Sequence, residues 1–423
     1  MLRFGVVLII MFAAKVYAAD MNIGDQAQLI HSLNHAQAGD KLILQKGLYT
    51  GPLQIKQSIE LVGEPGAIID GQGKGSAIEV FASHVTINGV TIQNWGQDHY
   101  ERDSGILIYE NLEHIKIVNS HLSGNSFGIR ADEVQHINIS QNQIRGNAQM
   151  HKLDRGDGIY LKHVKHSIIV GNTVTDVRDG VYIDSSQYSL VTNNTFSNQQ
   201  YGIHYMYSKH DEAFHNTSYQ VDGGFALMSS DDIYLHHNRS WDALDFGVLL
   251  NMTKNCRIIS NQIKSVHNAN GDMEIGTVGK GLFIYAATDN IISGNLFDQS
   301  DVGIYMAMGG ETNQIYGNGF SNNQTQIKYV GDVVLEWSHQ QQGNYWSSYQ
   351  GWDYNGDGIG DSHYRPNDSL DKLFWLYPEA KFLMNSPIVQ MLKWVQKQFY
   401  LPQMSGIVDS FPLLQPPTIS LDF

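Results

Sequence analysis

A glycine and an asparagine recur at fixed places in four consecutive segments, GIYLKHVKHSIIVGN, GVYIDSSQYSLVTNN, GIHYMYSKHDEAFHN and GFALMSSDDIYLHHN. They begin at Gly158, Gly180, Gly202 and Gly224 and end at Asn172, Asn194, Asn216 and Asn238, a period of 22 residues. A period of that length, with one short apolar run after each glycine, fits a solenoid in which no coil buries a face alone. The frame extends outward to Gly128 and Asn142, Gly247 and Asn261, and Gly281 and Asn295. Gly105 and Gly303 fit with one residue more, which puts Ser120 and Asn318 at the asparagine place. The pattern predicts an all-β chain wound as a right-handed parallel β-helix.

Glycine accepts positive φ where the chain turns into a strand, and asparagine is the residue after glycine that best tolerates the left-handed region. Both are therefore expected as turn markers. Coils stack about 4.8 Å apart, so successive asparagine side chains can pair as a ladder that satisfies buried amides. These residues are scaffold.

A solenoid grows by adding coils, so the length of 423 residues does not count domains. The formal net charge of -15, with no cluster of Lys and Arg, repels polyphosphate and argues against a nucleic-acid partner. Residues 1–18 read as a secretory signal: Arg3, an apolar run from Phe4 to Ala14, and Val16-Tyr17-Ala18 as the cleavage site. The product is expected to be exported to the periplasm with Ala19 first. No later apolar run is long enough for a membrane span. The one cysteine, Cys256, falls in the column of Ile137 and Ile233, and reads as a buried structural thiol.

Residues 24–37 place Leu29, Ile30 and Leu33 on one helical stripe, which predicts a short helix covering the open first coil. Residues 40–92 read as irregular early coils. Most returns from the asparagine place to the next glycine take 8 or 9 residues, but Val90 to Gly105, Asn142 to Gly158 and Asn261 to Gly281 take 15, 16 and 20. All three insertions leave the solenoid at one corner, and long loops on one side of a repeat protein mark its working face. They carry the candidate ligands His99, Met150, His151, His267 and Met273, although any polar loop collects such residues.

Strand alternation adds a second constraint. The residues one and three places after each glycine are apolar and point inward: Ile159 and Leu161, Val181 and Ile183, Ile203 and Tyr205, Phe225 and Leu227. Those two and four places after it point out. Met206 and Met228 then share one outward column in consecutive coils, with His204 two residues before Met206. Two thioethers and an imidazole suit Cu(I). The plain alternative is that the methionines fill gaps beneath a covering segment.

The repeat stops after one coil beyond Asn318, dividing the chain into a signal at 1–18, a capped β-helix at 19–342 and a terminal segment at 343–423. In that segment Asp353, Asn355, Asp357 and Asp361 alternate around glycines like the oxygen ligands of a Ca²⁺ loop, with a closing Glu replaced by Tyr364. An Asx-turn loop is the other reading. Residues 386–399 have Ser386 as an N-cap, Pro387 in the first turn and Ile388, Met391, Leu392 and Val395 on one stripe. That helix either seals the last coil or meets a partner, and Phe374, Trp375, Trp394 and Phe399 are the aromatic anchors for docking.

The runs GIHYMYS, GFALM, GVLLN, KYVG, GNYWS, YRPND, LYP, LMNSP and IVDSFPL resemble the nitrous oxide reductase maturation family usually called NosD. The resemblance spans nearly the whole mature chain. It implies a periplasmic accessory protein, not an enzyme, that docks on an ABC transporter and helps supply copper, sulfur or both to nitrous oxide reductase. A copper-donating lipoprotein is a further partner it suggests. The choice of Met206, Met228 and His204 comes from strand alternation, not from the family.

The rival reading from another class is a polysaccharide lyase, hydrolase or epimerase. Asp157 and Asp179 precede the repeat glycine in adjacent coils, with Arg155 and Arg178 nearby, and two carboxylates about 5 to 5.5 Å apart would serve a retaining glycosidase. Asp before Gly is also ordinary turn chemistry. A passive export or adhesion solenoid would explain the repeat but not the Met and His column.

Overall fold

The computed structural model describes residues 18–268, 279–367, 369–377, 383, 386–398 and 406–419. The chain winds into three parallel sheets of 13, 12 and 13 strands, the right-handed parallel β-helix that the period predicts. Each complete coil contributes one strand to each sheet. The strand after the glycine lies on what we call the glycine face, the strand before the ladder asparagine on the second face and the strand after it on the third.

Register keeps like residues in line. Ile159, Val181, Ile203 and Phe225 are successive partners, as are Leu161, Ile183, Tyr205 and Leu227, and all eight are fully buried. At about 25 cal/mol per Å² of apolar surface removed from water, these repeated columns supply the main favourable term of the fold. Cys256 lies fully buried among them, and burial pushes its thiol up to about 12, so it is inert at neutral pH.

The two markers work differently from their expected turn roles. Gly180 and Gly202 are outside the left-handed region; a Cβ on them would lie 2.5 and 2.7 Å from the carbonyl oxygens of Gly202 and Gly224. Glycine is required by the close approach of the next coil. Left-handed backbone falls on the residue before the asparagine, with φ between 52° and 67° at Gln141, Gly171, Asn193, His215 and His237. The asparagines themselves form the expected ladder from Asn142 to Asn344. Each backbone N–H and side-chain amide donates to the Oδ1 of the next asparagine at 2.8–3.1 Å.

Helix α1 (Gln26–His35) covers the first coil, N-capped by Asp25, whose Oδ1 accepts from Gln28 N–H at 2.9 Å. Leu29 is buried beneath it and Leu33 packs on the core, but Ile30 is exposed, because the covered stripe is narrower than the apolar one. The other end is closed by residues 406–413. Strand Gly406–Val408 pairs with Val334–Glu336, and the buried Asp409 accepts from Asn344 N–H and Trp346 Nε1–H at 2.7 Å each. Helices α2 (Ser369–Leu376) and α3 (Pro387–Gln398) lie in the terminal segment. Among the described residues no helix is long and apolar enough to cross a membrane.

Candidate functional site

Asp184, Met206, Met228 and Asn251 are successive register partners on the outer side of the glycine face. The two methionines are half-buried and one coil apart. Met228 packs against an apolar patch outside the core, where Ala226, Phe246 and Leu249 are buried with Tyr201 and Phe283 against them. Alternation assigns Ala226 and Leu249 the outward direction, yet both are closed off from solvent. Phe246 lies over Gly223, where a Cβ would sit 2.3 Å from its ring.

His204 occupies the outward place before Met206. Its Nδ1 lies 3.0 Å from Asp179 Oδ2, and its ring sits 4.5 Å from Tyr182 and 5.2 Å from Tyr201. A carboxylate only accepts, so in the neutral imidazole Nδ1 carries the hydrogen and Nε2 keeps the lone pair. That Nε2 is buried and has no partner. A carboxylate on the far nitrogen is the arrangement that orients metal-binding histidines.

Behind His204 the polar chain continues. Arg178 donates to Asp157 through Nε and Nη2 at 3.0 and 2.8 Å, and its Nε lies 3.8 Å from Asp179 Oδ2. Burial pushes the Asp157 carboxyl up against the pull of Arg178, with Asp179 adding repulsion. Arg155 is buried too, donating to the carbonyls of Met150, Ala148 and Asn198. Asp157 and Asp179 are 0% and 2% exposed. Clamped by one guanidinium and closed to solvent, they do not flank a space that a sugar could enter.

All three insertions leave between the third face and the glycine face. The second runs along this corner, with Lys152 Nζ on Asp222 Oδ1, six residues before Met228. Six extended residues span about 20 Å, so Met150 and His151 approach the start of these strands and not the methionine column. Met150 is half-buried; His151 is exposed and caps the short turn Lys152–Asp154. His99 packs 5.3 Å from Phe127 with its Nε2 buried and partnerless, and burial, helped by Arg178, holds it below the usual imidazole value. His267 Nδ1 lies 2.8 Å from Asp301 Oδ1. Met273 lies outside the described residues.

In the acidic loop Asp353 accepts the N–H groups of Gly356, Asp357 and Gly358 at 2.6, 3.2 and 3.0 Å. These bonds hold its carboxyl below the ordinary range. Asn355 and Asp357 are linked side chain to side chain at 3.0 Å, while Asp361 accepts from Tyr354 N–H at 2.6 Å. In α3 the Ser386 Oγ accepts from Val389 N–H, and Val389 is the buried residue. The stripe of Ile388, Met391 and Leu392 is exposed together with Trp394, so it does not seal the last coil. Trp375 is half-buried; Phe399 and the Phe374 side chain lie outside the described residues.

Two features escape sequence reasoning confined to the strands. His84, His114, His136 and His166 stack at 4.8–4.9 Å along an exposed corner, followed by Tyr188 and His210. At the corner between the second and third faces, Glu212, His236 and His237 form a hydrogen-bonded group beside His215. Reading the eighth and thirteenth places after each glycine as columns would have exposed both.

The family model described as periplasmic copper-binding protein (NosD) matches residues 140–351, and a second model, described as a protein of unknown function, matches residues 29–244. Two similar relatives carry the name probable ABC transporter binding protein NosD. That of Stutzerimonas stutzeri is 46% identical over 381 residues, covering 89% of this chain and 87% of its own. That of Pseudomonas aeruginosa is 46% identical over 376 residues, covering 88% of each. Among solved structures, the mannuronan C-5 epimerase A-module of Azotobacter vinelandii aligns with a TM-score of 0.61 at 14% identity, over 77% of this chain and 94% of its own. A lidless DFA-IIIase of Arthrobacter chlorophenolicus gives 0.55 at 14% identity, over 72% and 92%. At such identity the likeness is one of fold.

Proposed function

The chain belongs to the NosD family, and from that premise we propose that it is a periplasmic copper-binding accessory protein in nitrous oxide reductase maturation. In this reading Cu(I) is cargo. It is held on the glycine face by Met206 and Met228 with His204 Nε2, and passed on toward the reductase. A copper-donating lipoprotein would load it, and sulfur handling would fall to the same assembly.

One observation carries the copper reading: two thioethers are register partners beside an oriented, partnerless imidazole nitrogen. The donor set is soft, which suits Cu(I). Thioethers are neutral and bind without losing a proton, and half-burial leaves the ion a way out. Leucine keeps the volume and removes the sulfur, at a packing cost under about 1.5 kcal/mol. In a Cu(I) competition titration the Met206→Leu, Met228→Leu double variant should lose affinity while melting like wild type. Unchanged affinity would move the site to His99, His151 or His267 and return both methionines to packing.

The relatives' names support docking on an ABC transporter. We assign that contact to the α3 stripe and Trp394, with Trp375, Phe374 and Phe399 of the same terminal segment as further anchors. Exposed apolar side chains on a capped helix are what such interfaces use. The acidic loop is assigned to a structural Ca²⁺ held by Asp353, Asn355, Asp357 and Asp361.

A further inference from the structure

Three imidazoles and a carboxylate meet at the corner between the second and third faces, across the coil from the glycine face. His215 and His237 hold the left-handed place before the ladder asparagine in successive coils. Glu212 and His236 project from the strands Glu212–Phe214 and Tyr234–His236, which pair in parallel. His236 Nε2 lies 2.9 Å from Glu212 Oε1, and its Nδ1 lies 2.8 Å from His237 Nδ1. The rings of His215 and His237 meet edge to face at 5.8 Å.

The hydrogen positions follow from these contacts. Ionised Glu212 only accepts, so His236 Nε2 carries a hydrogen. In neutral His236 the Nδ1 is then the acceptor, and His237 Nδ1 must donate to it. The lone pair of neutral His237 is left on Nε2. His236 cannot easily turn out of this relay, being stacked between Tyr234 at 4.0 Å and Phe214 at 5.0 Å. Burial, opposed by Glu212 and reinforced by His215 and Arg257, holds His236 below the usual imidazole value. Burial, then His236 and His215, does the same for His237.

The stacked row from His84 to His166 lacks this organisation, since parallel rings a coil apart do not aim their nitrogens at a common point. We propose that the Glu212, His215, His236 and His237 corner is a second metal site, selective for a divalent, imidazole-preferring ion such as Cu²⁺ or Zn²⁺. His237 Nε2 is its anchoring ligand and His215 the second, while Glu212 acts through His236 as a positioning residue. Among the described residues no three such side chains converge on one ion as they stand. The site is therefore a two-histidine one whose remaining positions are taken by water. Imidazole ligands favour divalent copper and zinc, whereas the thioether face favours Cu(I). The two sites thus differ in the oxidation state they select, and this one does not depend on the reading of Met206 and Met228.

The test is calorimetric titration of the full mature chain with Zn²⁺ and, separately, Cu²⁺. The variants are His237→Asn, His215→Asn and Glu212→Gln, with Met206→Leu, Met228→Leu as control. Asparagine is the residue that Asn119 and Asn193 place in this column with the same left-handed backbone, so the fold should survive. Relative to wild type, His237→Asn should lose one equivalent of ion, whatever other surface histidines bind. His215→Asn should weaken that equivalent. Glu212→Gln should keep it with about tenfold to a hundredfold lower affinity, the usual effect of a lost outer partner. The methionine control should bind Zn²⁺ unchanged, which separates this site from the Cu(I) site. Wild-type stoichiometry and affinity in His237→Asn would overturn the proposal.

Discussion

Asp179 Oδ2 lies 3.0 Å from His204 Nδ1, and this contact decides which nitrogen of the neutral imidazole keeps its lone pair. The proposed ligand His204 and the carboxylate that orients it come from adjacent coils. Asp179→Asn can keep the hydrogen bond but removes the charge that raises ligand basicity. Cu(I) affinity should fall about tenfold to a hundredfold with both methionines intact. A competition titration showing wild-type affinity would leave Asp179 with a folding role alone.

Asp211 is a buried carboxyl whose ionised form the fold opposes. Its Oδ1 accepts from Ser189 N–H at 2.6 Å, but its Oδ2 is buried without a partner, and burial pushes the carboxyl from 3.8 up to about 8. The folded form therefore binds the proton more tightly than the unfolded form does. Stability contributed at this position is full below about pH 4, falls as pH rises toward 8 and is flat above that. Asp211→Asn should remove the slope and stabilise the chain at pH 8, by on the order of a few kcal/mol. Asn290 already does the same task further along this column, its Oδ1 accepting from Cys256 N–H at 2.8 Å. Melts at pH 5 and pH 8 that show equal changes in Tm for the variant would contradict this.

Chelating divalent ions should lower the melting temperature, and added Ca²⁺ should restore it. Asp353→Asn with Asp357→Asn should abolish the response, because the ion gives its stability only through binding the folded loop. A calcium titration without effect on the wild-type melt would leave the loop as hydrogen-bonded turns.

Docking through α3 can be separated from end capping. Trp394 and Met391 are 60% and 59% exposed, so Trp394→Ala with Met391→Ala should leave Tm nearly unchanged while reducing co-purification with the ABC transporter. Truncation after Asn344 should instead unfold the last coils, since it removes both Asp409, which accepts from Asn344 N–H, and Trp346, which stacks on the core residue Phe320. Undiminished co-purification of the double variant would place the contact elsewhere.

The period from glycine to asparagine was sufficient to determine the solenoid, its inward columns, the asparagine ladder and the corner where insertions leave. Those features are local and repeated: an apolar alternation in Ile203 and Tyr205 has one buried face, and a parallel coil 22 residues on must present the same places in register. Tertiary structure alone decided what covers the outward places. Phe246 folding over Gly223 buries Ala226, and Arg178 binds Asp157, because both contacts join different coils through long side chains whose directions no alternation encodes. The same reason hid the relay of Glu212, His236 and His237. Its members stand on a strand and a corner, and only the bend of the backbone at the left-handed His237 turns two neighbouring rings toward one another.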